Sequence, residues 1–295
     1  MKVLVTGAYG QAGSAIVSQL KQQGFVVEAA SHRMLDIADL SQIEAMLDRV
    51  QPAFIVNAAG VADLASSEQS PDRCRRVNQE GPAFLATAAQ ARGIGLLHLS
   101  CGWVFDGMQS SPYKEDDPIR PVGRLGESKW LGEEGVRRHC QRHIILRTHW
   151  LFSGHEQGEV ARVLQMARTE PQIRALVDHI GQPTAVSDLA RVVTAILQQL
   201  SCGVQEWGTY HYASAEYTSK YGFYEAILAQ ARQYIAIACD ELIGAEAAQE
   251  PGAIPARPNQ ARLDCRKIRY VFGIGQRPWR QYLQGMLTEM CDPVI

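Results

Sequence analysis

The sequence predicts an α/β protein built on a doubly wound parallel sheet, and three observations support this fold class. Short apolar segments alternate with segments of helical periodicity through the first half of the chain, as in parallel strands joined by helices. A glycine-rich turn directly follows the first apolar segment. The hydrophobic content of 46% over 295 residues is sufficient for a large core.

Apolar segments bounded by turn residues mark the expected strands, and amphipathic segments mark the helices. Strands are expected over 2–6, 25–30, 53–57, 95–100 and 144–148, and helices over 11–22, 39–50, 72–92 and 123–140. Later in the chain we expect helices near 156–168, 186–200, 219–238 and 277–290, and strands near 173–177 and 208–213. Residues 244–259 are rich in Ala, Gly and Pro, which predicts an extended loop.

The glycine turn comprises Gly7, Gly10 and Gly13, placed between the first strand and the first helix. Such glycines let the backbone approach a pyrophosphate, which binds the amides at the positive end of the helix dipole. Tyr9 and Gln11 belong to the same predicted cofactor loop. A turn used only for packing is the alternative interpretation.

The end of the second strand indicates which dinucleotide binds. Ser31, His32 and Arg33 occupy the place where an NAD-selective site carries an acid. A hydroxyl and a guanidinium would bind a 2′-phosphate, so NADP(H) is favoured over NAD(H). Alternatively, His32 and Arg33 are solvated loop residues. Asp36 and Ile37 follow, where they would border the adenine.

The ends of the next strands complete the predicted cleft, because ligands of such sheets bind beyond the carboxyl ends of the strands. Small residues permit close approach of the cofactor. The candidates for cofactor binding at these ends are Ala58, Ala59, Gly60 and Ser100.

The ordered set of motifs resembles the extended short-chain dehydrogenase/reductase superfamily and, within it, the dTDP-4-dehydrorhamnose reductase family. The resemblance covers nearly the whole chain and implies a nicotinamide cofactor and a nucleotide-sugar ligand. It also implies a Rossmann-type domain over 1–150, to which 181–213 return, and a smaller α/β substrate domain over 151–180 and 214–295. Its landmarks are the glycine turn, Leu35-Asp36-Ile37, Asn57-Ala58-Ala59, Asn78, Ser100, Val104 to Gly107, Gly126 to Lys129, Gly132-Glu133, Arg147 to Trp150, Gly181 to Thr184 and Arg257-Pro258.

The departures from the family concern its chemistry. Leu125 stands where the family has a catalytic tyrosine, Cys101 stands where it has a threonine, and His149 replaces a serine. Lys129 is retained, and the resemblance implies that it also reaches the nicotinamide ribose. A positioned general acid is worth about 10²- to 10⁴-fold in rate, so the standard reduction is not expected.

Two functions remain open at this stage. The favoured one is a non-catalytic, NADP(H)-binding protein with a degenerate active site that acts as a ligand sensor or a regulatory scaffold. The alternative is an NADPH-dependent reductase of a nucleotide-linked 4-keto-sugar, in which water or His149 supplies the proton. Trp103, Trp150 and Arg257 are candidates for contacting the sugar or nucleotide.

Composition limits the partners further. A net charge of −2 without a basic aromatic-rich run does not favour nucleic-acid binding. No apolar segment is long enough for a membrane span, and the seven scattered cysteines do not form metal or disulfide motifs. His139 and His143 lack a third ligand, so no metal site is expected. We expect a cytoplasmic protein that binds a nucleotide-sugar or another small molecule, with a protein partner or a homodimer as a further candidate.

Overall fold

The computed structural model describes residues 1–156, 158–247, 257–260 and 262–291. Its strands are β1 Lys2–Thr6, β2 Val26–Ala30, β3 Phe54–Asn57, β4 Gly95–Cys101, β5 His143–Thr148, β6 Leu151–Phe152, β7 Gln172–Leu176, β8 Ile180–Gly181, β9 Thr184–Ala185, β10 Gly208–His211, β11 Thr218–Ser219 and β12 Glu241–Ala245. Six of them form one sheet in the order β10-β5-β4-β3-β1-β2, in which all neighbours are parallel. The predicted doubly wound α/β fold is confirmed.

Eleven α-helices lie within the described residues. They are α1 Gln11–Gln22, α2 Leu40–Val50, α3 Leu64–Gln69, α4 Pro71–Arg75, α5 Gly81–Ala91, α6 Arg124–His139, α7 Glu159–Thr169, α8 Val186–Ser201, α9 Lys220–Ala231, α10 Arg266–Phe272 and α11 Trp279–Cys291. A π-helical turn, Arg76–Glu80, interrupts the helix predicted over 72–92. The helix predicted over 219–238 ends earlier, and α10 was not predicted. None of the helices in these residues is long and apolar enough to cross a membrane.

Helices cover both faces of the sheet because the central strands are apolar on both sides. One core cluster joins the sheet to α1 and α8, and the second joins it to α2 and α5. The helix that carries the candidate catalytic residues, α6, packs closely on α5 and on the π turn. A Cβ on Gly132 would overlap the Asn78 carbonyl oxygen, and one on Gly135 would lie 2.7 Å from the Ala83 Cβ. These glycines therefore allow α6 to lie close against the π turn and α5.

A third core cluster lies between α7, α9 and α11 and the two-stranded ladder of β7 and β12. The segment around α10 does not belong to it. Leu263, Ile268 and Phe272 pack in the first cluster with Tyr210 of β10. The division of the chain into a Rossmann-type domain and a smaller domain stays a prediction. Gly244 and Ala245, expected in a loop, are in β12. Residues 248–256 of that predicted loop lie outside the described residues.

Candidate functional site

The glycine turn after β1 forms a tight cradle. Gly7 has a φ of +63°, which favours glycine, and a Cβ on it would lie 2.6 Å from the Ala59 amide nitrogen. A Cβ on Gly13 would overlap the Gly7 carbonyl oxygen, and the Gly10 amide donates a hydrogen bond to that same oxygen over 3.0 Å. Two of the three positions thus have no room for a side chain.

The amino terminus of α1 opens into this cradle. Gly10 is the N-cap and provides no side chain to bond the first amides of the helix, so those amides and the helix dipole are available to an anion. Tyr9 is 67% exposed beside them, while the Gln11 carboxamide oxygen accepts a 2.8 Å hydrogen bond from Ser153. The cradle fits the pyrophosphate of a dinucleotide such as NADP(H).

The loop after β2 exposes the residues proposed to select the cofactor. His32 and Arg33 are exposed and Ser31 is half-buried. The nearby carboxylate of Asp36 is already bound, because it accepts a bond from the Ala38 amide and forms a 3.0 Å ion pair with Arg76. Asp36 is therefore not positioned as a free acceptor for a ribose hydroxyl.

Buried hydrogen bonds hold the carboxyl end of β3 in place below the cleft. The Asn57 side-chain oxygen accepts hydrogen bonds from the Thr6 hydroxyl at 2.7 Å and from the Ala59 amide at 3.2 Å. Ile37 packs against Gly81, where a Cβ would lie 2.7 Å from the isoleucine side chain. The hydrogen bond between Thr6 and Asn57 joins the ends of β1 and β3 beneath the cradle.

Leu125 and Lys129 lie one turn apart on α6, and both are buried, with 3% and 8% of their surface exposed. The Lys129 ammonium reaches the end of β3, since a Cβ on Gly60 would lie 2.5 Å from its Nζ. Burial lowers the pKa of Lys129, against the opposing influence of Cys101, Cys74 and Glu133. The aliphatic side chain at 125 offers this lysine no hydroxyl partner.

Cys101 is the last residue of β4 and belongs to the same cleft. Burial raises the pKa of its thiol, although Lys129 and a hydrogen bond from the Trp103 amide oppose the rise. The thiol is therefore protonated at neutral pH. Trp103 itself is half-buried in the following 3₁₀ turn, Gly102–Val104, and Ser100 is buried beside it in β4.

A hydrogen-bond network joins the π turn to α6 and positions Lys129. Asn78 donates to the Ser128 hydroxyl and to the Val61 carbonyl, both at 3.0 Å, and accepts from the Val61 amide at 2.9 Å. Ser128 in turn donates to the Leu125 carbonyl, and the Cys74 sulfur lies 3.1 Å from its hydroxyl. A π-helical turn places Asn78 between the end of β3 and α6, as such turns often do at functional sites.

A buried ion pair anchors α6 to β5. Glu133 receives hydrogen bonds from Arg147 at 2.9 and 2.7 Å and from Arg137 at 2.7 Å. Burial alone would raise the pKa of Glu133, but the two guanidinium groups, chiefly that of Arg147, outweigh it and lower the pKa to about 2. The carboxylate is fully committed to these two arginines. Glu133 and Arg147 both belong to the landmarks of the sequence, but only the fold reveals that they pair.

His149 is enclosed at the junction with the smaller domain. Its Nδ1 accepts a 3.1 Å hydrogen bond from the Gln182 amide, and its Nε2 is buried without a partner among the described residues. Burial, with Lys220 nearby, lowers its pKa to about 3. Burial disfavours the imidazolium, which argues against His149 as the proton donor, and that role stays a prediction.

The candidate ligand residue Trp150 adjoins His149 and has a positive φ of 39°. Its ring stacks on His149 and contacts His179 edge-on at a centroid distance of 4.9 Å. The Lys220 ammonium lies 4.1 Å from the ring centroid on its face. Arg257 is half-buried near His179. No motif in the sequence points to His179 or Lys220. Contact of Trp103, Trp150 and Arg257 with a ligand stays a prediction.

A parallel sheet, a glycine cradle and a lysine-bearing helix together define the extended short-chain dehydrogenase/reductase class of fold. The family model described as the RmlD substrate binding domain matches residues 1–291. The chain belongs to this family.

Known proteins similar to the chain agree with this assignment. A spore coat polysaccharide biosynthesis protein, SpsK of Bacillus subtilis, is 33% identical over 99% of both chains. A dTDP-4-dehydrorhamnose reductase of Aggregatibacter actinomycetemcomitans is 31% identical over 97% of this chain and 98% of its own. The crystal structure of dTDP-4-dehydrorhamnose reductase from Bacillus anthracis in complex with NADP superposes with a TM-score of 0.88, at 24% identity and 98% and 99% coverage.

Proposed function

We propose that this chain binds NADP(H) together with a nucleotide-linked sugar and acts as a ligand-sensing or regulatory member of its family rather than as a fast reductase. One observation carries the proposal: a buried leucine, Leu125, lies one helical turn before Lys129. A reductase of this type needs an acid there to protonate the carbonyl oxygen while the nicotinamide delivers hydride.

The neighbouring side chains do not replace that acid well. His149 is neutral at physiological pH, with a pKa of about 3, so it has no readily lost imidazolium proton. The Cys101 thiol is a weak hydrogen-bond donor, and burial raises its pKa. By contrast, the cradle for the dinucleotide is complete. The arrangement supports binding better than turnover.

The cofactor is proposed to be NADP(H) rather than NAD(H). Arg33 is exposed at the end of β2, next to Ser31 and His32, where a guanidinium favours a 2′-phosphate. Asp36, the nearest carboxylate along the chain, is paired with Arg76, which reduces its repulsion of that phosphate. The Aggregatibacter relative is named a reductase of dTDP-4-dehydrorhamnose, so a nucleotide-linked sugar is the proposed second ligand.

The test combines binding with a gain of function. NADPH should bind the wild type, measured by calorimetric titration, while Leu125→Tyr should raise NADPH oxidation with dTDP-4-dehydrorhamnose by about 10²- to 10⁴-fold. Leu125→Phe is the matched control, because it adds the ring without the hydroxyl. Absence of NADPH binding, or fast oxidation by the wild type and by Leu125→Phe, contradicts the proposal.

A reductase with rerouted proton delivery is the second candidate. Two exchangeable protons remain in the cleft, on the buried Lys129 ammonium and on the protonated Cys101 thiol. If they serve catalysis, Cys101→Ala should lower NADPH oxidation at least tenfold while leaving NADPH affinity unchanged. Oxidation that is unaffected by Cys101→Ala and by Lys129→Met would exclude this route.

A further inference from the structure

We propose, on the basis of the function proposed above, that the cleft discriminates between the redox states of its cofactor: the Lys129 ammonium, which forms no ion pair with a carboxylate of the described residues, favours NADPH over NADP⁺. A protein with this property reports the ratio of the two forms rather than their sum. The two cofactor forms differ by one positive charge on the nicotinamide ring, which hydride addition removes.

The position of Lys129 places its charge in the nicotinamide half of the cleft. The pyrophosphate cradle follows β1, and the residues proposed to bind the 2′-phosphate lie to one side of it, at the end of β2. A bound cofactor would then extend in the other direction, towards the carboxyl ends of β3 and β4. Gly60, against which the Lys129 Nζ lies, follows β3, and Cys101 ends β4.

The groups around Lys129 do not cancel its charge. Glu133 is the nearest carboxylate that influences it, but both of its oxygens are bound by Arg147 and Arg137. The Cys101 thiol is neutral, and burial lowers the pKa of His98 to about 3. Arg137 also pairs with Glu134, so within the described residues Glu133, Glu134, Lys129, Arg137 and Arg147 together carry a net charge of +1, which corresponds to the charge of Lys129.

Position 125 is where a family member would place a compensating group. A phenol there accepts a hydrogen bond from lysine and bears negative charge when it ionises, whereas Leu125 does neither. Like charges separated by about 6 Å in a partly buried site change a binding constant by roughly tenfold or more. The discrimination should accordingly be large enough to measure.

The experiment measures calorimetric dissociation constants of NADPH and NADP⁺ at one ionic strength and pH 7. The wild type should bind NADPH about tenfold or more tightly than NADP⁺. Lys129→Met removes the charge, and Leu125→Glu places a carboxylate one turn before Lys129, where the two side chains can pair. Both variants should bring the ratio to within about twofold of unity.

Leu125→Gln is the matched control for the added carboxylate and should keep the wild-type ratio. Circular dichroism identifies any variant that fails to fold, and the wild-type ratio remains informative by itself. A wild-type ratio near unity overturns the inference, as does a large ratio that survives both Lys129→Met and Leu125→Glu. Binding of neither cofactor form refutes instead the proposed function from which the inference starts.

Discussion

Replacing Glu133 by glutamine should destabilise the protein strongly, because this buried carboxylate holds α6 to β5. Its side chain is fully buried, and its partner Arg147 is only 1% exposed. Glu133→Gln keeps the size of the side chain but leaves the buried guanidinium of Arg147 without a counter-charge, whereas Arg137 still pairs with Glu134. Removing one partner of a buried ion pair typically costs about 3–5 kcal/mol.

The pH dependence gives a second, independent magnitude. The pKa of Glu133 falls from 4.5 in the unfolded chain to about 2 in the folded protein, and each unit corresponds to about 1.4 kcal/mol. The pair therefore contributes about 3 kcal/mol to the free energy of unfolding above pH 4.5. This contribution is lost as the pH falls from 4.5 towards 2, since the unfolded state then binds the additional proton.

Urea unfolding of the wild type and Glu133→Gln between pH 7 and pH 3 measures both effects. The variant should be about 3–5 kcal/mol less stable at pH 7 and should lose less stability on acidification. Glu134→Gln is the matched control, because Glu134 pairs with Arg137 and Arg138 at the partly exposed surface, where an ion pair contributes about 1 kcal/mol or less. A Glu133→Gln protein within 1 kcal/mol of wild type, or with the same pH profile, would refute the reasoning.

Three further predictions test other parts of the structure. Gly13→Ala should weaken NADPH binding at least about 100-fold and destabilise the fold by about 1–3 kcal/mol. Gly10→Ala is the control, because its Cβ would meet the nearest atom only at 3.4 Å, and it should leave the melting temperature unchanged. Calorimetric titration measures the binding and thermal melting measures the stability. Arg33→Ala should reduce NADPH affinity about tenfold without changing NADH affinity, and equal losses for both would disprove the proposed 2′-phosphate contact. Gly285 lies at an exposed position of α11, where a Cβ would meet nothing within 4 Å. Gly285→Ala should therefore raise the free energy of unfolding by about 0.5–1 kcal/mol, and a decrease would contradict this prediction.

The main sheet was predictable because its determinants are local. Each central strand is a short apolar run between helices, and the expected segments match β1 to β5 within a few residues. The two-residue strands β6, β8, β9 and β11 were not predictable, since two residues carry no periodicity and such strands form through tertiary contacts. Helix α10 is only seven residues long, and its packing on β10 depends on contacts distant in sequence.

The candidate site was predictable only where its chemistry follows a motif. The glycine turn and the spacing of Leu125 and Lys129 are visible in the sequence and are close together in the fold. The pairing of Glu133 with Arg147 joins residues on different elements, and two charged residues in a sequence do not reveal that they are buried together. The shift in the pKa of His149 likewise depends on surroundings that only the folded chain provides.

A single-turnover experiment tests most directly whether the protein binds NADPH without rapidly reducing a keto-sugar. Wild-type protein saturated with NADPH would be mixed with excess dTDP-4-dehydrorhamnose, and absorbance at the NADPH band followed in a stopped-flow instrument. We predict bound NADPH whose absorbance decays no faster than in protein lacking the sugar. A rapid exponential loss of the whole NADPH signal would contradict the account.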